Sequence, residues 1–284
     1  MKNLNRIGFM QGRLSPLVDG RIQAFPWTKW KDEFPLAEQI NIHLMEWTLD
    51  QERLYENPLL TSSGQGQIRA LCNRHAISIP SLTGDCFMQA PFWKANEVTA
   101  AALQNDFLAI VAACSQVGIE MVIVPLVDNG RLDTLAQENA LVDFLLSHVE
   151  SFKSRGVRII FESDFAPQEL ARFIGRLPAG TFGINYDIGN SAALGYSAGE
   201  EFAAYGERIV NVHVKDRLLG GTTAPLGTGN AKFETVFAAL ARQNYKGNYI
   251  LQTARATDDS HAQTLRHYRD MTLAWMTEAG LEAA

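Results

Sequence analysis

The chain has 284 residues, 46% of them hydrophobic and 20% charged, enough to bury a substantial core and ordinary for a globular protein. With 25 Lys and Arg against 31 Asp and Glu the formal charge is −6, which argues against nucleic acid as the main partner. Cys72, Cys86 and Cys114 show no metal-type spacing and no even count for a disulfide framework. No apolar run approaches the ~18–20 residues that span a membrane, and MKNLNRIGFM lacks a signal-peptide core, so a cytoplasmic protein without a membrane partner is expected.

Ile7 to Gln11 is a short apolar run that stops at Gly12-Arg13, and it predicts the first strand. Residues 14–34 follow with prolines, tryptophans and no period, as expected of a loop that covers a pocket. Pro35 opens a helix to about Ile40, and His43 to Thr48 is the second strand, with Glu46 facing opposite to Met45 and Trp47. Ser62 to His75 reads as helix and Ile77 to Leu82 as the third strand, leading into Thr83, Gly84 and Asp85. An aromatic loop (Phe87, Phe92, Trp93) precedes a helix from about Glu97 to Val117. Met121 to Val127 is an unbroken apolar run suited to a strand buried on both faces.

A helix from about Leu135 to Arg155 comes next, then the fifth strand, Val157 to Glu162, which stops at a glutamate. Pro167 starts a helix to about Leu177, and the sixth strand, Thr181 to Asp187, stops at an aspartate. A helix from Ala198 to Gly206 leads to the stretch Arg208 to Asp216, RIVNVHVKD. There Val210, Val212 and Val214 alternate with Asn211, His213 and Lys215, so a strand would present the polar set on one face. A glycine-rich loop (Gly220, Gly221, Gly227, Gly229) leads to a helix over Phe233 to Asn244. The eighth strand, Gly247 to Gln252, stops at a glutamine, and a last helix covers His261 to Ala279. Eight strand-then-helix units predict an α/β fold, a single-domain (β/α)8 TIM barrel over residues 1–284; the alternative, an open doubly wound sheet, has no GxGxxG after any strand.

Barrels of this kind gather the C-terminal ends of their strands at one face, where chemistry is placed. Strands five to eight would bring Glu162, Asp187, His213 and Gln252 there, at spacings of 25, 26 and 39 residues. Two carboxylates, an imidazole and an amide oxygen suit one divalent metal ion such as Mn²⁺, Mg²⁺, Co²⁺ or Zn²⁺. Each residue also has a plainer role open to it, Asp187 as a turn residue and Glu162 as a helix cap.

The motifs MQGRLSP, FES, DIGN, HVKDR and PLGTGNAKFETVFAAL running into YKGNYILQ resemble the xylose isomerase-like TIM barrels, in particular the sugar (phosphate) isomerase/epimerases. The resemblance covers nearly the whole chain. It implies a divalent ion held by Glu162, Asp187 and His213, with Gln252 where the family has a second glutamate and Asn190 where many members have a histidine. It also implies an isomerase acting through an enediolate on a small sugar or sugar phosphate, with Glu162 as the base. In the family's epimerases the two glutamates form the opposed acid–base pair, and a glutamine cannot carry a proton. Aldose–ketose isomerisation or enolate-type lyase chemistry with one base is therefore expected ahead of epimerisation. A dehydratase or aldolase, and a non-catalytic sugar-binding homologue, remain open; an endonuclease lacks the extra histidines.

Glu46 has two readings, a contact to sugar hydroxyls or replacement of the missing base, and a salt bridge inside the barrel. Lys215, Arg217 and Arg255, with Arg13, have two readings, an anion site that binds substrate near the glycine-rich loop and, for each arginine separately, a surface salt bridge. Trp27, Trp30, Phe87, Phe92 and Trp93 either wall the pocket or pack in the core. A homo-oligomer is compatible with the sequence.

Overall fold

The first strand, β1 (Ile7–Met10), pairs in parallel with both the second and the last, and this closes the sheet on itself. The computed structural model describes residues 6–281. The remaining strands are β2 (Leu44–Leu49), β3 (Ser78–Gly84), β4 (Met121–Leu126), β5 (Arg158–Ser163), β6 (Phe182–Asp187), β7 (Ile209–Val214) and β8 (Asn248–Leu251). They run in the closed order β1-β8-β7-β6-β5-β4-β3-β2, all parallel, so the chain is a single-domain (β/α)8 barrel. Closure is tight at Gly8, where an added Cβ would stand 2.8 Å from both Leu44 Cβ and Ile250 Cδ1. Only glycine lets three backbones approach there.

The helices are α1 (Glu33–Gln39), α2 (Ser62–His75), α3 (Asp85–Gln89), α4 (Glu97–Val117), α5 (Leu135–Ser147) and α6 (Val149–Ser154). They continue with α7 (Pro167–Gly175), α8 (Ile188–Leu194), α9 (Ala198–Tyr205), α10 (Phe233–Arg242) and α11 (His261–Glu278). Local chemistry sets their ends. Thr61 and Asn96 accept from the backbone N–H of Gly64 and Thr99 at the starts of α2 and α4, and Gly118 takes the left-handed conformation (φ +84°) after α4. The helix expected over residues 135–155 is broken at His148, whose φ and ψ of −114° and 7° end α5. The sequence suggests loop and turn at α3 and α8, because each starts on the residue directly after a strand's end and leaves no spacer to signal it.

α4 is 21 residues long and holds an 18-residue window with a mean hydropathy of 1.4, which by length and composition alone would suit a membrane. In the fold it buries Phe107, Ile110, Val111 and Cys114, while Asp106 accepts a hydrogen bond from Tyr55. The apolar shell between sheet and helices also holds Phe152, Phe161, Phe173, Phe182 and Phe237, all fully buried. The aromatic residues considered as pocket walls belong to this packing. Trp30 lies 5.7 Å from Trp47 between ring centroids, Trp27 stands edge-on to Phe25, and Phe92 packs on Phe144.

The glycine-rich loop after β7 is held from within. Asp216 and Arg217 pair antiparallel with Ala224 and Thr223, and the Asp216 carboxylate accepts from the amides of Gly227, Gly229 and Ala231. Those loop amides are therefore already used. Asp216→Ala should leave three part-buried amides without their carboxylate partner, at about 1–2 kcal/mol, read as a lower urea midpoint; an unchanged midpoint would show that the loop holds itself.

Candidate active site

Parallel pairing sets the height of every strand-end residue. Asp187 is in register with His213 and Glu162 with Pro125, while the Gln252 amide continues the β8 ladder by donating to Val214 O at 3.1 Å. One donor atom from each of Glu162, Asp187 and His213 falls within 4.8 Å of the others, and all three residues are buried. His213 Nδ1 stands 3.1 Å from Glu162 Oε2 and 3.9 Å from Asp187 Oδ2.

Beneath them lies a polar layer inside the barrel. Glu46 accepts at 2.7 Å from His213 Nε2, at 2.7 and 2.6 Å from the Ser81 and Thr83 hydroxyls, and at 3.2 Å from Asn211 Nδ2. Asn185 takes a hydrogen bond from Asn211 on its oxygen and gives one to Glu162 Oε2 at 3.0 Å. Two register shifts accompany this layer. β3 has one residue more than β2 between Ser78 and Ser81, and β7 one more than β6 between Ile209 and Asn211. Such bulges re-aim side chains. Burial by itself would drive the His213 imidazolium to lose its proton, but the Glu46 and Glu162 carboxylates overcome this and hold its pKa near about 10. Burial likewise works against ionised Glu46 and Glu162; contact with His213 outweighs it and lowers both.

A cavity of about 500 Å³ opens above Glu162 at the C-terminal mouth, lined also by Asp85, Asn190, Lys215, Arg217 and Gln252. Lys215 Nζ donates to Asp187 Oδ2 at 2.7 Å and to Gln252 Oε1 at 3.1 Å. An ammonium can only donate, so it fixes the polarity of everything beyond it. Gln252 turns its Nε2 to Gln23 Oε1 (2.9 Å), and Gln23 turns its own Nε2 to Asp85 Oδ2 (2.6 Å). Gln23 brings the segment after β1 to the cavity by this route. Asn190 donates its amide N–H to Glu162 Oε1 and accepts on its oxygen from Arg217, while its backbone N–H donates to Asp187 Oδ1.

A family model described as the xylose isomerase-like TIM barrel matches residues 34–271. The chain belongs to that family. Among curated relatives of this xylose isomerase-like barrel is an L-ribulose-5-phosphate 3-epimerase of Salmonella paratyphi C, 36% identical over 104 residues. That match spans only 36% of this chain and 37% of the relative's length. A solved L-ribulose 3-epimerase superposes with a TM-score of 0.74 at 16% identity, over 96% of this chain and 95% of that one. D-psicose 3-epimerase from Clostridium cellulolyticum H10, solved with D-tagatose, gives 0.73 at 12% identity, over 96% and 99%. At such identities these two likenesses speak for the barrel alone.

Of the residues singled out by sequence, Glu162, Asp187, His213, Gln252, Asn190, Lys215 and Arg217 meet at the mouth. The others sit apart from this cluster, and Glu46 forms the ion pair inside the barrel that is one of its two readings. Glu46 is fully buried beneath His213 and does not line the cavity. Arg255 is spent on the carbonyls of Gly12, Ser15 and Ile22, and Arg13 likewise donates to Ile22 O, so neither joins Lys215 and Arg217 in an anion site. Sequence reasoning missed Asp85, Asn185 and Gln23. The strand-end rule that found Asp187 would have found Asp85, and alternation from Asp187 would have found Asn185; Gln23 carries no periodic signal.

The donor set fits a divalent cation. Two carboxylates and an imidazole converge, and Glu46 on Nε2 leaves Nδ1 facing the other two ligands, an outer partner of the kind metal-bound histidines have. The Nδ1 proton is what a cation would displace. Because the folded value of His213 exceeds the free value of 6.5, its stabilisation is complete below that pH and is lost as pH rises through about 10. Glu46→Gln should bring the His213 titration, followed by histidine NMR on metal-free protein, down towards or below 6.5. An unmoved titration would show that another charge holds the proton.

Proposed function

We propose that this chain is a carbohydrate epimerase or isomerase that acts on an unphosphorylated ketose, with Glu162 as the proton-abstracting base. The observation that carries the proposal is the convergence of Glu162, Asp187 and His213 at the C-terminal end of the barrel, where Glu162 lines a cavity. Those three residues would hold a divalent ion, and such an ion supplies Lewis-acid polarisation of a substrate carbonyl. Gln252 is the candidate fourth ligand, through an oxygen now engaged by Lys215. Glu162 is oriented by Asn190 on one oxygen and Asn185 on the other, and contact with His213 keeps it ionised, the state a base needs. Membership in the family and the epimerase name of the curated relative support the reaction class.

Charge supports the choice of an uncharged sugar. The cavity is lined by the carboxyl groups of Asp85, Asp128, Glu162 and Asp164 and by two cations, Lys215 and Arg217. Lys215 is tied to Asp187 and Gln252, and Arg217 to Asn190 and to Gly221 O. A phosphate dianion would find both cations already engaged, and the loop amides of Gly227, Gly229 and Ala231 point at Asp216.

With Mn²⁺ present, wild-type protein should exchange the α-hydrogen of free ketopentoses or ketohexoses with deuterated water, and do so better than with their phosphates. Glu162→Gln should cut this exchange by at least ~10²–10⁴-fold. Exchange that survives in Glu162→Gln, or that is confined to the phosphates, would refute the base or the substrate class respectively. Gln252→Glu adds a charge beside the ion and should tighten Mn²⁺ binding in calorimetry; equal affinities would remove Gln252 from the ligand set.

A further inference from the structure

Inverting a carbon beside a carbonyl takes two proton carriers, one to remove the proton and one to return a proton from the other face. If Glu162 is the first, as in the reading above on which this inference rests, the second must be found among groups that reach the same cavity. Gln252 is an amide and carries no exchangeable acid proton. Glu46 lies beneath His213, out of reach. Lys215 is locked between Asp187 and Gln252. Asp164 is paired with Arg131 at 3.2 Å, and Asp128 is exposed at the rim. Asp85 remains, and it lines the cavity with only 6% of its surface exposed.

We propose that Asp85 is a second catalytic residue, a neutral carboxylic acid that delivers a proton to the carbon from which Glu162 has taken one, so that the chain inverts a stereocentre. Asp85 is the first residue of α3, directly after β3, and one strand, β4, separates it from Glu162 in the barrel. Its hydrogen-bond partner among the described residues is Gln23. The polarity set by Lys215 makes that partner a donor, aimed at Oδ2, so the proton belongs on Oδ1. The surroundings favour the protonated form. Burial is the main cause, reinforced by Asp50 from the end of β2 and Glu162 from β5 and opposed by Gln23 and by Arg13 from the segment after β1; together they raise the carboxyl to about 7.

In the forward step Glu162 takes the α-proton, and the electron pair of that C–H bond moves into the carbonyl group as an enediolate. The pair then returns to the carbon and bonds the Asp85 proton from the opposite face. Glu162 is left protonated and Asp85 ionised. Exchange of one proton from Glu162 to water and one from water to Asp85 restores both, and the substrate's composition is unchanged.

Asp85→Asn separates the two half-steps. Wild-type protein incubated with a ketose in deuterated water should show inversion with label at the inverted carbon. The variant should keep α-hydrogen exchange within a few-fold while inversion falls by ~10²-fold or more; Asp85→Ser serves if the asparagine form does not fold. Equal loss of exchange and inversion, or inversion undiminished, overturns the proposal. A second readout needs no turnover. The carboxyl ¹³C signal that labelled wild-type protein has and Asp85→Asn lacks should titrate near 7, and titration in the ordinary aspartate range near ~4 also overturns the proposal. Wild-type protein without any exchange would defeat the enzyme reading itself, and this proposal with it, whereas failure of Asp85 alone leaves wild-type exchange intact.

Discussion

Glu46 and His213 are bonded at 2.7 Å, and neither side chain reaches water. Glu162, Ser81, Thr83 and Asn211 all take a partner from this pair. Removing one partner from such a buried pair typically costs about 3–5 kcal/mol, because the other charge is left uncompensated. The protein meets the cost of burying the carboxylate with four donors: the imidazole, two hydroxyls on β3 and one amide on β7. The bulges in β3 and β7 fall where those donors come from, so the barrel is irregular where its interior is polar.

A second constraint runs outward from Lys215. Because an ammonium has no acceptor, the amides of Gln252 and Gln23 have only one orientation each that satisfies the chain of hydrogen bonds. A carboxylate at position 252 could accept from Lys215 but could not donate to Gln23. The glutamine therefore ties the segment after β1 to the mouth and leaves Gln23 Nε2 free to reach Asp85. Neutral residues and their contacts, as much as the charges, decide what this cavity can recognise.

The barrel was legible because its strands end on residues that a core would reject. Glu162, Asp187 and His213 stand out against apolar runs, and their spacing matches the length of a βα unit. Depth was not legible. Alternation places Glu46 on the inner face but does not say in which layer, and one layer separates a residue that meets substrate from one that holds a histidine. Asp85 was passed over because Gly84 looked like the start of a loop, whereas α3 begins at once. Arg13, Gln23 and Arg255 lie in segments without a period, and their partners are carbonyls or amides far away in sequence, which composition does not encode.

The pairing of β1 with β8 has a consequence for how the molecule comes into being. Gln23 meets Gln252 across 229 residues, Arg255 meets Gly12 across 243, and Glu46 meets His213 across 167. Contacts of such separation form only after a large loss of chain entropy, so they arrive late and together. Intermediates with several βα units in place would still lack both the histidine's carboxylate partner and the tether at the mouth. The competent pocket is thus an all-or-none product of ring closure, and a chain stalled short of closure exposes strand edges in place of a partly working site.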